Sequence, residues 1–329
     1  AMATVLEQAR FQADWMARVA GYLRQDPGWE LLVLHYHLID SINHTLLGYL
    51  DPSYPYTTPE RTAQAWDAYR AAYGLVDDLV GMLLEEAADP DTLVAIVSDH
   101  AALPCWRYVS IAQALHQAEL LRYRWDAASS SFRVDLAASR AVPYLDPQYV
   151  WVNLVGRQPA GCVPPDAYDA VCDEIIRALL GLRDPRTGEC PVELACRREA
   201  LGLVGAADQR MGDVVYFLKP GYTTWDGLVD SLRFSSQDPE RLAQGVFADA
   251  PLVGGHHTPY LPTARHGPFA NAAMLFLAGP GVRPGHRLGH PIRLTDVTPT
   301  LAHLLGIAPP RHAEGAVRAE LLADDPEVG

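Results

Sequence analysis

The chain has 329 residues, of which 49% are hydrophobic and 20% charged, as in a soluble and well-packed protein. Its formal charge of −14 argues against a nucleic-acid backbone or an anionic membrane surface as the main partner. No apolar run reaches the roughly 18 residues of a membrane span, and the N-terminal residues lack the basic and apolar regions of a signal peptide, so we favour a soluble, cytoplasmic protein.

Helical and strand patterns alternate over the first hundred residues. Apolar residues at helical spacing cover 5–24 and 60–86, whereas 31–36 and 93–97 are short apolar runs typical of buried strands. A strand, a long helix and a second strand predict a parallel crossover unit. We therefore predict an α/β fold with a doubly wound, mostly parallel sheet.

Residues 101–250 have frequent turn signals and predict an inserted α+β subdomain. Residues 1–100 and 251–308 would form the core, and 309–329 a loosely held tail. The remaining predicted elements are strands at 149–154, 214–218 and 273–278 and helices at 110–122, 165–180 and 295–305.

Two segments near the predicted strand ends carry a carboxylate and an imidazole. In Asp40-x-x-x-His44 the two side chains would project from one face of a helix, although a helix-capping Asp with an ordinary polar His explains the pattern equally simply. Asp99-His100 directly follows an apolar run, where ionisable groups need compensation, for instance by a cation. The structural alternative is an Asp that caps the next helix.

A third segment is the loop Gly254-Gly255-His256-His257, in which paired glycines allow a tight backbone. Exposed polar sequence is the structural alternative, and His266 is a further candidate ligand. Because ligands bind beyond the carboxyl ends of strands in α/β sheets, the three segments can converge. Mixed carboxylate and imidazole ligands suit Zn²⁺, or Mn²⁺, and this set is large enough for two ions that clamp a phosphoryl group.

The ordered combination of these segments resembles the type I phosphodiesterase/nucleotide pyrophosphatase family of the alkaline phosphatase superfamily. Leu277-Ala278-Gly279-Pro280-Gly281 and Thr295-Asp296-Val297-Thr298-Pro299 are similar to that superfamily's closing strand and helix. The resemblance implies that one metal ion is held by Asp40, His44 and His257, and a second by Asp99 and His100. Ala101 and Thr258 stand where the family usually has glycine.

The same resemblance implies a further Asp ligand and a Thr or Ser nucleophile in a Pro-Thr turn. We find no convincing counterpart of either, and we expect both upstream of residue 1. A sheet without that segment would expose apolar edges, which an oligomer or the missing segment would cover.

The function that the resemblance implies is hydrolysis of phosphodiester or phosphate ester bonds in a small phosphorylated substrate such as a nucleotide. Two alternatives stay open: a catalytically incomplete fragment or pseudoenzyme that binds metal or nucleotide, and a sulfatase or phosphomutase of the same superfamily. Within 101–250 we expect substrate contacts, with structural roles as the alternative, from Asn153, Arg157, Tyr222 and Trp225.

Overall fold

The computed structural model describes residues 2–25, 28–128, 131–144, 148–201, 210–224 and 245–323. Its α-helices are α1 (Met2–Gln25), α2 (Leu38–Leu46), α3 (Pro59–Ala87), α4 (Ile111–Gln117), α5 (Tyr168–Leu180) and α6 (Val297–Leu304). Its first seven strands are β1 (Val94–Val97), β2 (Leu103–Val109), β3 (Tyr123–Asp126), β4 (Ser131–Val134), β5 (Ala141–Tyr144), β6 (Tyr149–Val152) and β7 (Val192–Arg197). The others are β8 (Val214–Leu218), β9 (Gly221–Thr223), β10 (Phe247–Asp249), β11 (Gly255–His256), β12 (Arg265–His266), β13 (Phe269–Ala270) and β14 (Leu275–Ala278).

The chain divides into two compact units. The first unit comprises residues 1–42, 66–101 and 272–329, and the second comprises 43–65 and 102–271. The predicted insertion at 101–250 therefore starts where the second unit resumes, but the second unit also takes in 43–65 and 251–271, which the sequence assigned to the core. Tyr54 shows one reason, because its hydroxyl donates to the carbonyl of Val253 within the second unit.

In the first unit, α1 packs on α3 through a stripe of small and apolar side chains. Ala13, Met16 and Ala17 of α1 form a buried cluster with Leu79 of α3. Their spacing follows the helical repeat, which is why the sequence predicted both helices correctly.

Where α3 begins, Thr58 accepts a hydrogen bond from the Arg61 N–H at 3.2 Å, so this threonine is a helix cap.

The sheet of the first unit differs from its prediction. β1 pairs antiparallel with β14, with Ile96 opposite Phe276. The run at 31–36 has no regular secondary structure and joins no strand ladder among the described residues, and Val33 is 79% exposed. A parallel crossover would require strand pairing between 31–36 and β1. Among the described residues 31–36 forms no such pairing, so the predicted crossover is not found there. The α/β class is confirmed, with helices and mixed sheets.

The second unit contains the largest hydrophobic core. A four-stranded antiparallel sheet has the order β5-β6-β8-β7, and α5 contributes Val171, Ile175 and Leu179 to the core beside it. A second sheet places β2 between β10 and β11, with β9 parallel to β2. Every residue of β2 except Trp106 is buried. The strand therefore fixes the position of β11, which carries His256.

The described part of the tail is held in place, contrary to the expectation of a loose tail. Arg318 pairs with the buried carboxylate of Asp296, and the Ala316 N–H donates to the same carboxylate at 2.9 Å. Val282 and Leu322 form an isolated β-bridge. These contacts fix the chain up to residue 323, because a buried carboxylate needs the donors that the tail supplies.

No helix among the described residues is both long and apolar enough to cross a membrane.

Candidate metal centre

α2 carries two of the predicted ligands on one side. Leu38 and Ile42 are buried, and two residues further along the helix from each come Asp40 and His44, which therefore project from the opposite side. Asp40 and His44 are both half-buried. The predicted helical spacing of this pair is confirmed by the bounds of α2.

The last turn of α2 is joined to the glycine loop within the second unit. The Gly254 N–H donates to the His44 carbonyl at 2.7 Å, and Nδ1 of His44 lies 2.9 Å from the Gly255 carbonyl. A carbonyl can only accept, so Nδ1 of His44 carries the proton and Nε2 is the nitrogen with a lone pair. An imidazole anchored through Nδ1 in this way is the usual arrangement for a ligand that binds metal through Nε2.

Three imidazoles lie together at this loop. The ring centroid of His44 is 5.4 Å from that of His256 and 5.2 Å from that of His257, and the last two rings stack at 5.3 Å. His256 is buried as part of β11, which pairs with β2. His257 is half-buried, and its Nδ1 lies 3.1 Å from the hydroxyl of Thr258. Thr258, which stands where the family usually has glycine, thus contacts the predicted ligand His257 directly.

Asp99 and His100 lie just after β1 in the first unit. The Ser98 N–H donates to the Met274 carbonyl at 3.0 Å, which extends the β1–β14 ladder up to this pair. Nδ1 of His100 lies 3.0 Å from the Ala101 carbonyl, so here too Nδ1 carries the proton and Nε2 the lone pair. Any residue at position 101 offers this carbonyl, so replacing the family's glycine by alanine does not remove the anchor.

The separation of the two side chains fits a shared ion. Nε2 of His100 is 3.5 Å from Oδ2 of Asp99. Two ligand atoms about 2.1 Å from one tetrahedral ion lie about 3.4 Å apart. Two acceptor atoms this close repel each other unless a cation or a proton lies between them. The donor set of this pair therefore fits a divalent metal ion.

His266 makes a different contact from the one predicted. Its Nε2 is 2.6 Å from Oδ2 of the buried Asp51 and 3.1 Å from the hydroxyl of Ser53. Asp51 follows a short 3₁₀ turn at Leu47–Leu50, and its carboxylate also accepts from the Ser53 N–H at 2.8 Å. His266 thus contacts a buried carboxylate in the second unit, and metal binding by His266 stays a prediction.

Two of the predicted substrate contacts are engaged in structural bonds. The side-chain nitrogen of Asn153 lies within hydrogen-bond distance of three backbone carbonyls, and the side chain is buried. Arg157 forms a two-pronged pair with the fully buried Asp213, and hydrogen bonding to that carboxylate raises the pKa of the guanidinium. Both residues have structural roles, which the sequence analysis gave as the alternative. Substrate contact by either residue stays a prediction.

Tyr222 is buried, and its hydroxyl lies 3.2 Å from that of Thr187. Burial raises the pKa of this hydroxyl. The fourth predicted contact, Trp225, lies outside the described residues.

Sequence reasoning missed one contact of a predicted ligand. Nε2 of His37 is 2.6 Å from Oδ2 of Asp40. The spacing of three residues at the start of a helix could have indicated this pair, since side chains three apart are neighbours on a helix.

The sequence profile of a family described as type I phosphodiesterase/nucleotide pyrophosphatase matches residues 4–235. No curated protein sequence matches the chain. A crystal structure of the wild-type alkaline phosphatase PafA is 14% identical with a TM-score of 0.45, over 79% of this chain and 44% of that one. A multiply substituted variant of PafA gives 14% identity and a TM-score of 0.42, over 79% of this chain and 43% of that one. The chain thus spans less than half the length of these structures, and the TM-scores are too low to transfer any residue's role.

Proposed function

Because the chain belongs to the type I phosphodiesterase/nucleotide pyrophosphatase family, we propose that it is a metal-dependent hydrolase of phosphoric ester bonds. The substrate is a small phosphorylated compound, such as a nucleotide or another phosphodiester. Two divalent ions, Zn²⁺ or Mn²⁺, are held, one by Asp40, His44 and His257 and the other by Asp99 and His100. This assignment follows the family pattern residue by residue.

The observation that carries the proposal is the anchoring of two predicted ligands through Nδ1. His44 and His100 each donate Nδ1–H to a backbone carbonyl, and each therefore presents Nε2 as a metal-binding nitrogen. The contact of Asp99 with His100 adds a carboxylate at a separation suited to one ion.

A divalent ion at such a site supplies Lewis acidity for phosphoryl transfer and neutralises charge on the phosphoryl oxygens. The protein's contribution is to orient the ligands: α2 presents Asp40 and His44 from one side, and the carbonyl of Gly255 sets the ring of His44. The charge of −14 does not oppose an anionic substrate, since bound cations reverse the field locally. We assign no nucleophile among the residues of this chain.

Metal content tests the proposal directly. The purified chain and its Asp40→Ala and Asp99→Ala variants are loaded with zinc or manganese, dialysed and measured by ICP mass spectrometry. We expect about two equivalents in the parent and the loss of about one with each variant. Asp67→Ala is the matched control, because this carboxylate on α3 is exposed and pairs with the equally exposed Arg70. Hydrolysis of chromogenic phosphodiester, phosphomonoester and sulfate ester substrates is then compared across the set.

Less than about a tenth of an equivalent in the parent, unchanged by either variant, contradicts the proposal. Metal binding without turnover of any ester supports the alternative of a metal-binding protein. Preferential turnover of the sulfate ester supports the sulfatase alternative.

A further inference from the structure

His37 is the residue directly before α2, and it contacts that helix in two ways. Its carbonyl accepts from the Ser41 N–H at 3.2 Å and from the Ser41 hydroxyl at 3.1 Å, which closes the first helical turn. Its side chain reaches Asp40, with Nε2 2.6 Å from Oδ2. The backbone contact caps the helix whatever the side chain is, so the imidazole contact is an addition that capping does not require.

The contact gives the two oxygens of Asp40 different surroundings. Oδ2 accepts from His37, because a carboxylate oxygen can only accept and Nε2 must therefore carry the proton. Oδ1 is buried. A carboxylate with one oxygen held in this way has a fixed rotation, which also fixes the direction in which the other oxygen points.

We propose that His37 is a positioning residue for the metal ligand Asp40: it holds Oδ2 and thereby makes Oδ1 the oxygen that binds the ion. The inference rests on the proposed function, because it assumes that Asp40 is a ligand. Partners of this kind are part of the design of metal sites, and replacing one typically weakens metal binding by about 10- to 100-fold.

The exposure of His37 allows a positioning role to be distinguished from a purely structural one. The side chain of His37 is 59% exposed and that of Asp40 is 18% exposed. Because His37 is mostly exposed to solvent, its contact with Asp40 contributes little to folding stability. A structural role would therefore change almost nothing when His37 is replaced, whereas a positioning role changes the affinity for metal and leaves the melting temperature nearly the same.

The experiment measures zinc affinity by competition with a chromophoric chelator. The full chain is compared with His37→Ala, His37→Gln and the control His35→Ala. His35 is a suitable control because it is exposed and its ring packs edge-on against that of His37 at 5.0 Å, so its removal tests the loss of local ring packing while the bond from His37 to Asp40 is kept. We expect about 10- to 100-fold weaker binding for His37→Ala, a smaller loss for His37→Gln because its amide N–H can still donate, and no change for His35→Ala.

A double variant completes the test. In an Asp40→Ala background, adding His37→Ala should cause no further loss of affinity if His37 acts through Asp40. Unchanged affinity in His37→Ala, equal losses in the Ala and Gln variants, or an equal loss in His35→Ala would each overturn the inference while leaving the metal site in place. A parent chain that binds no zinc overturns the proposed function, and with it this inference.

Discussion

Gly254 and Gly255 are required by the close approach of their loop to the last turn of α2. A Cβ on Gly255 would lie 2.7 Å from the carbonyl oxygen of Asn43, and one on Gly254 would lie 2.8 Å from that of Thr45. Neither glycine has a positive φ, so space rather than backbone conformation excludes a side chain here. The sequence predicted a tight backbone at this pair, but only the packing on α2 explains it.

We expect Gly255→Ala to lower the free energy of unfolding by about 1–3 kcal/mol, because the added methyl must push the loop away from α2. The same shift removes the carbonyl that anchors Nδ1 of His44, so the affinity for zinc should also fall. Urea unfolding and zinc competition measure the two effects. Gly74→Ala in α3 is the control: a Cβ there meets nothing within 4 Å, and we expect a gain of about 0.5–1 kcal/mol. Equal effects of the two substitutions would contradict the packing argument.

Among the elements, β2 depends on a buried group of charges. Arg107 of β2 makes two bonds of 3.0 Å with the carboxylate of Asp184, whose side chain is only 2% exposed. Asp249 of β10 accepts from Arg107 at 3.2 Å and from Arg186 at 2.5 Å. Burial would raise the pKa of Asp184, but hydrogen bonds from Arg107 and from the Arg186 backbone outweigh it and lower that pKa. The hydrogen bond from Arg186 is the main reason why the pKa of Asp249 is lowered.

We expect Asp184→Ala to cost about 3–5 kcal/mol of unfolding free energy at neutral pH, because Arg107 is left buried without its main partner. The pH dependence has a definite sign. A carboxylate whose pKa is lower in the folded chain contributes stability above its unfolded value, near about 3.9, and that stability is lost as pH falls through the folded pKa. Stability of the parent should therefore fall below about pH 4, and Asp184→Asn should reduce this dependence.

Urea midpoints at several pH values check both statements. Asp67→Ala, which breaks an exposed pair, should cost no more than about 1 kcal/mol. A loss for Asp184→Ala no larger than that of Asp67→Ala would show that the buried pair contributes nothing of its own.

At the scale of the whole molecule, the two units bury their apolar residues to different extents. In the second unit the strands pack against the hydrophobic core, and Val150 of β6 is fully buried. In the first unit several apolar residues stay exposed: Val33 by 79%, Phe276 of β14 by 59% and Val97 of β1 by 42%. Exposed apolar side chains of this size favour association and aggregation.

We expect the double variant Val33→Thr, Phe276→Thr to bind less of a hydrophobic dye and to self-associate less, with the free energy of unfolding changed by no more than about 0.5 kcal/mol. Dye fluorescence, light scattering and urea unfolding give the three readouts. The control Val150→Thr should instead cost about 1–3 kcal/mol, because its hydroxyl enters a closed core. A loss of similar size in the double variant would mean that these side chains are buried in solution.

The amino-acid sequence by itself determined the elements with a strong helical period or a short run of apolar residues. The helices α1, α3 and α5 and the strands β1, β6, β8 and β14 were all predicted near their observed positions. It also determined the order of the carboxylates and imidazoles that indicates the family, because those residues are local in the chain. β2 was missed, since a strand buried on both faces with an arginine and a tryptophan in it has no clear period.

The tertiary structure decided which partner each of these side chains meets. The sequence could not show that Asp213 engages Arg157, that Asp51 engages His266, or that the carbonyl of Gly255 fixes the ring of His44. Each of these contacts joins residues that are more than 50 positions apart in the chain, and a local pattern contains no information about such a distance. Burial then selects among them, because a charged or polar group away from water must find a partner that only the fold can bring to it.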